Sequence, residues 1–140
     1  MKKYNNPEVS ILADKIIDIL LNNDFIIQRY DSMTTSSIYL KLDYGVCNSI
    51  RISDHDGKPG YCYRYNIIIG GEVNIVEEKY IRYYYTEKQI RQLIQQIFFD
   101  KQCKLKKYGH NYQYYMDKNM NDNSGKKGFW SNAKLVNKIS

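Results

Sequence analysis

The chain of 140 residues is poor in proline and tryptophan, with two and one respectively, and its three cysteines, Cys47, Cys62 and Cys103, show no CxxC spacing. An odd set without that spacing supports neither a disulfide framework nor a zinc knuckle. Nowhere do roughly 18 apolar residues run together, the length a membrane-spanning helix needs. The opening Met1-Lys2-Lys3-Tyr4-Asn5 has no apolar stretch behind its lysines either. The expected location is therefore a reducing cytoplasm. G-x-S-x-G, P-loop and G-x-G-x-x-G patterns are all missing, and Gly70-Gly71 is too short to cradle a phosphate, so the common motif routes to hydrolysis and nucleotide chemistry lack support. The expectation is a protein that is not an enzyme and carries no cofactor or metal.

Tyrosine is what the chain has in excess: 15, against 4 phenylalanines. An apolar ring with a polar tip suits half-buried surfaces and interfaces. Charge is unevenly placed. Residues 1–100 carry 12 Lys and Arg against 13 Asp and Glu, whereas residues 101–140 carry 9 against 2. The body is near neutral and the C-terminal stretch is a cation, which suggests a nucleic acid or an acidic protein surface as partner; a solvated stretch that only aids solubility reads equally well.

Asn6 can cap a helix with Pro7 at its first position, and Val9, Leu12, Ala13, Ile16, Ile17, Leu20 and Leu21 follow at helical spacing. Asn22 and Asn23 end it. Strands are expected over 24–30, over 38–44 with Ile38, Leu40 and Leu42 on one face, over 49–53 with Arg51 outward, and over 61–69. Shorter extended pieces are expected over 73–76 and 79–85. Thr86 to Gln89 is a capping-box pattern that opens a second helix with Ile90, Leu93, Ile94, Ile97 and Phe98 on one stripe. The predicted fold is α+β: an antiparallel sheet of about four strands with two helices on one face, in the order α-β-β-β-β-α. Its other face would carry Tyr39, Lys41, Arg51 and Arg64. Residues 1–100 form this domain, and 101–140 a basic, tyrosine-rich extension, read as flexible or ordered by a partner.

The densest polar cluster is Arg51-Ile52-Ser53-Asp54-His55-Asp56. His55 with Asp54 or Asp56 has the groups for a general base or a metal site. Serine and aspartate beside Gly57 are equally what a strand end and turn require. Tyr61, Tyr63 and Tyr65 alternate onto one face, and Tyr83 and Tyr85 could extend such a row; aromatic rows on an open sheet stack bases. Ile67 and Ile69 share that parity, which favours the core. The better binding candidates lie beyond residue 100: Lys101, Lys104, Lys106, Lys107, Lys126 and Lys127, interleaved with Tyr108, Tyr112, Tyr114, Tyr115, Phe129 and Trp130. Lysines contact phosphates and rings stack, although an acidic protein groove would use both as well.

The order helix, strand, strand, strand, helix, with "NNDFIIQRY" and "SSIYLKLDYG", resembles the double-stranded-RNA-binding-like fold, which includes small mRNA-cleaving toxins. Those toxins place a catalytic histidine at the start of the second strand, where this chain has Thr34, Thr35, Ser36 and Ser37. The basic cluster that double-stranded-RNA binders place at the start of their last helix is reduced here to Lys88 and Arg91. The stretch "SIYLKLDYGVCNSIRISDH" followed by "YRYNI" is similar to small proteins of low-GC Gram-positive bacteria and their phages. That resemblance implies a phage or mobile-element protein in the host cytoplasm that inhibits a host defence nuclease, anti-CRISPR-like, by binding the nuclease or its CRISPR effector complex. Direct nucleic-acid binding is the alternative, and a small ribonuclease using His55 the second.

Overall fold

The computed structural model describes residues 6–55, 63–70, 76–77, 82–123 and 133–136. Helix α1 spans Pro7–Leu21, and the side chain of Asn6 caps it by accepting from Glu8 N at 3.0 Å. Its buried stripe is Val9, Ala13, Ile16, Ile17 and Leu20. The amides of Asn22 and Asn23 donate to the carbonyls of Asp18 and Ile19, closing the last turn. Asp24 then takes a positive φ of 65° and Phe25 N bonds back to Leu20 O, so the first strand begins three residues later than expected.

The strands are β1 Ile27–Asp31, β2 Ile38–Leu42, β3 Ser49–Ser53, β4 Tyr65–Ile68, β5 Val76–Glu77, β6 Arg82–Tyr85 and β7 Lys134–Val136. They form one sheet in the order β5-β6-β4-β3-β2-β1-β7. The expected antiparallel sheet of about four strands is corrected here. The fold is α+β, but the sheet is mixed: β1, β2 and β3 are an antiparallel meander, while β4 runs parallel to both β3 and β6. Parallel neighbours need a crossover rather than a hairpin, and the long stretch between Ser53 and Tyr65 gives room for one. Of the expected strand over 61–69, Tyr61 and Cys62 lie outside the described residues, as does most of the piece expected over 73–76.

Register sorts the side chains. Ile27, Leu42, Leu40, Ile38, Ile50, Ile52, Tyr65, Ile67, Tyr83 and Tyr85 align across the sheet on one face. They share one core with the stripe of α1 and with Leu93, Ile94 and Ile97 of helix α2, which runs Ile90–Tyr108 behind a 3-10 turn at Glu87–Gln89. The capping box is formed: Thr86 N donates to Gln89 Oε1 at 2.9 Å and Lys88 N to Thr86 Oγ1 at 3.3 Å. Each fully buried aliphatic side chain contributes about 1.5–3 kcal/mol. The boundary expected at residue 100 falls inside α2.

The stretch read as flexible or ordered by a partner carries helix and strand where it is described. Gly109, with a φ of 54°, turns the chain into helix α3, Asn111–Asn123. Tyr112 and Met116, one helical turn apart, are buried. Farther on, β7 pairs antiparallel with β1, with Ile27 opposite Val136.

Candidate functional site

Alternation along β1 to β4 leaves the second sheet face polar: Gln28 and Tyr30, Tyr39 and Lys41, Ser49, Arg51 and Ser53, then Asn66 and Ile68. Across these four strands that face has two cations and no carboxylate. Arg51 sits at its centre, opposite Tyr39 on β2 and Asn66 on β4. Arg64, expected on this face, turns to the helix side instead. Its Nε meets Asp100 Oδ2 at 3.1 Å, the same carboxylate that accepts from Tyr65, because the buried phenol and carboxylate need a cation more than the polar face does.

Around Arg51 the polar cluster read from sequence closes into a network. Arg51 is 4% exposed, and its Nη2 reaches Ser53 Oγ at 3.2 Å, His55 O at 3.0 Å and His55 Nδ1 at 3.4 Å. Ser53 Oγ lies 2.8 Å from Ser37 Oγ, and Ser37 Oγ lies 3.3 Å from His55 Nε2. Nη2 carries two protons, and its two shorter bonds, to His55 O and Ser53 Oγ, use both. A cation beside Nδ1 opposes a metal there, and no group of three metal-ligating side chains occurs among the described residues. Asp54, one of the two partners expected for His55, bonds the amide of Asn6 at 3.2 Å. Asp56 lies outside the described residues.

Ser32, Thr34, Thr35, Tyr39, Arg51, His55 and Tyr63 line a cavity of about 180 Å³ over this network. The loop from Ser32 to Ser37 supplies its hydroxyl wall. Ser32 N donates to Ser37 O at 2.9 Å, Ser32 Oγ accepts from Thr35 N at 3.2 Å, and Thr35 Oγ1 accepts from Ser37 N at 3.2 Å. Tyrosine rings run beside the cavity: Tyr30 and Tyr39 are 6.2 Å apart, and Tyr39 and Tyr63 5.2 Å. Of Tyr61, Tyr63 and Tyr65, weighed as a stacking row against core packing, Tyr61 lies outside the described residues and Tyr65 is in the core that the shared parity favoured. Tyr65 lies in the core with Ile67, and Tyr63 stands before the strand begins.

The residues expected to bind a partner beyond position 100 separate into three groups. Lys101, Lys104 and Tyr112 are built into the fold. Lys101 Nζ lies 3.0 Å from Asp43 Oδ2 and 4.1 Å from the Phe25 ring centre, Lys104 Nζ donates to Val46 O, and Tyr112 donates to Asp43. Burial lowers the Lys104 ammonium below its ordinary value. Lys106, Lys107, Tyr114 and Tyr115 are exposed, with Tyr108 half-buried between Lys107 and Tyr115. Lys126, Lys127, Phe129 and Trp130 lie outside the described residues. Sequence reading missed the part of Ser32, Thr35 and Ser37. The parity that puts Tyr39 and Arg51 on one face was a usable signal; the register that brings Ser37 opposite Ser53 was not.

The fold and this site define an α+β protein with a mixed sheet, helices on its apolar face and a cationic, tyrosine-bearing pocket on its polar face. Compared with protein-family models, curated proteins and solved structures, the chain matches none. No helix among the described residues is long and apolar enough to cross a membrane.

Proposed function

We propose that the protein acts by binding rather than catalysis, and that its polar sheet face holds a single-stranded nucleic acid. One observation carries this reading: Arg51 is almost wholly buried, yet no carboxylate among the described residues lies within ion-pair distance of it. A buried cation without a counter-charge is costly unless an anion arrives to balance it. Phosphate is an anion that guanidinium N–H donors bind well, and half-buried Tyr30 and Tyr39 offer rings on which unpaired bases stack.

The test is a gel-shift series with single- and double-stranded DNA and RNA at two salt concentrations. Single strands are expected to bind, more weakly at the higher salt, and Arg51→Gln to remove most of the affinity. Absence of binding, or binding indifferent to Arg51→Gln, overturns the reading.

A second reading assigns the biological role. The resemblance to phage-associated proteins implies an inhibitor of a host defence nuclease or CRISPR effector complex. The exposed group of Lys106, Lys107, Tyr114 and Tyr115 gives it a contact surface of lysine and tyrosine that remains available. A pull-down from host lysate that recovers no nuclease or ribonucleoprotein would count against it.

A further inference from the structure

We propose that the cavity over Arg51 takes a terminal phosphate, a monoester at the end of a strand, rather than an internal phosphodiester. The inference rests on the reading of the polar face as a nucleic-acid surface and names the group that this site selects.

Three features of the cavity carry it. All the bonds of Arg51 run through Nη2, so Nε and Nη1 keep their N–H groups without an acceptor among the described residues. The hydroxyls of Ser32 and Thr35 each accept from a backbone N–H, which leaves the proton of each to be donated. The described lining residues therefore offer donors from two sides and include no carboxylate. That composition fits an anion with several acceptor oxygens.

Size and depth then select the kind of phosphate. A volume of about 180 Å³ falls short of the ~300–1,000 Å³ of sites that enclose a whole ligand, so the pocket admits one group while the rest of the ligand stays outside. A diester is tethered on both sides and contacts best a guanidinium that stands at the surface. Arg51 is recessed, with only 4% of its surface exposed. A monoester hangs from a single bond, can reach down to it, and presents three free oxygens to the surrounding donors. Outside the mouth, Tyr39 would meet the terminal base.

The experiment is fluorescence polarisation of the full chain with one single-stranded sequence of about 12 nucleotides, a length within single-strand site sizes. It is labelled internally and made with a 5′-phosphate, a 3′-phosphate or two hydroxyl ends. Inorganic phosphate and a nucleoside monophosphate serve as competitors. One phosphorylated form is expected to bind about tenfold or more tightly than the hydroxyl form, the scale of a single charge-assisted hydrogen bond. Arg51→Gln should abolish that difference.

Arg51→Lys keeps the buried charge but loses the separate Nε and Nη1 donors, and should shrink the difference; it decides the matter if Arg51→Gln fails to melt cooperatively. Equal binding of all three ends overturns the inference and leaves the strand reading standing. If only the monophosphate and inorganic phosphate bind, dependent on Arg51, the pocket stands and the strand reading falls. If nothing binds, both fall. An end preference unchanged by either Arg51 variant also overturns it.

Discussion

Tyr112 on α3 donates its phenol proton to the carboxylate of Asp43, 69 residues earlier in the chain. Asp43 also accepts from Ile26 N at 2.8 Å through its other oxygen and pairs with Lys101. It does so from a 3-10 turn, Asp43–Gly45, in which Asp43 and Tyr44 hold positive φ angles, as Asn48 does just beyond it. Such angles are unfavourable for residues with a β-carbon, and they persist where neighbouring bonds over-determine them. The carboxylate thus joins the start of the sheet, the turn after β2 and both C-terminal helices.

Removing the Tyr112 hydroxyl should loosen that junction. Tyr112→Phe is expected to cost about 1–3 kcal/mol in a urea melt, the range for leaving a buried charged acceptor short of a donor. Cys47, whose Sγ lies 3.0 Å from the Tyr112 oxygen and whose thiol is raised by burial, gives a second readout. Cys47 should react slowly with a thiol reagent in the parent and faster in the variant, while exposed Cys103 reacts at the same rate in both. Unchanged stability and labelling would mean that α3 is held by other contacts.

Asp100 serves three partners, Tyr65 and Arg64 through Oδ2 and Gln96 through Oδ1, from a side chain 8% exposed. Asp100→Ala strips all three of their acceptor and should destabilise by about 3 kcal/mol, as breaking a largely buried pair does. Replacing Arg64 with Met should cost less, since its side chain is 25% exposed. A larger loss from the arginine than from the aspartate, in matched denaturant melts, would invert this assignment.

The buried phenols predict the alkaline limit of the fold. Burial, reinforced by hydrogen bonds to Asp100 and Asp43, raises Tyr65 and Tyr112 far above the ordinary 10.0 of a phenol, and burial beside Tyr83 pushes Tyr85 up to about 12. A group whose value is raised by folding stabilises the fold fully below its unfolded value and ceases to do so as pH climbs through its folded one. Stability should therefore begin to fall near pH 10 and continue falling through 12 and beyond. Tyrosinate absorbance is expected in two steps, the later coinciding with loss of circular dichroism. A single step completed while the dichroism is intact would contradict the burial of these three rings.

The two contact surfaces can be separated by salt. Lys106 and Lys107 are solvated at the end of α2, so replacing both with Gln should weaken nucleic-acid binding modestly and flatten its salt dependence, each phosphate contact on a single strand contributing about 0.7 of a unit of slope. Arg51→Gln should instead lower affinity strongly at every salt concentration. Salt-titrated polarisation distinguishes the two, and a larger effect from the lysine pair would move the interface to the helices.

The helices were readable because their signals are local. Asn6 and Pro7 start α1, Thr86 and Gln89 start α2, and apolar spacing marks the buried stripe of each. Strand alternation also sorted Ile50 from Arg51 correctly. The parallel pairing of β4 was not readable, since register depends on partners distant in sequence. Helix α3 escaped notice because of the residues between Asn111 and Met120 it buries Tyr112 and Met116, and a single i, i+4 pair amid Asn, Gln and Tyr gives no periodicity. Arg64 defeated the parity rule because it precedes β4 and is free to turn toward Asp100. At the candidate site Arg51, Ser53 and His55 are neighbours in sequence, but Ser32, Thr35 and Ser37 arrive only through the pairing of β2 with β3.

The pairing of β7 with β1 sets a timetable for the newborn chain. About a hundred residues separate Ile27 from its partner Val136, and at ribosomal speed that interval lasts roughly 5 to 20 seconds. Throughout it β1 has β2 on one side and a bare edge on the other, the kind of edge that recruits a strand from a neighbouring molecule. Neighbouring chains on one message would compete with each molecule's own last strand, and slower translation would give them longer to do so.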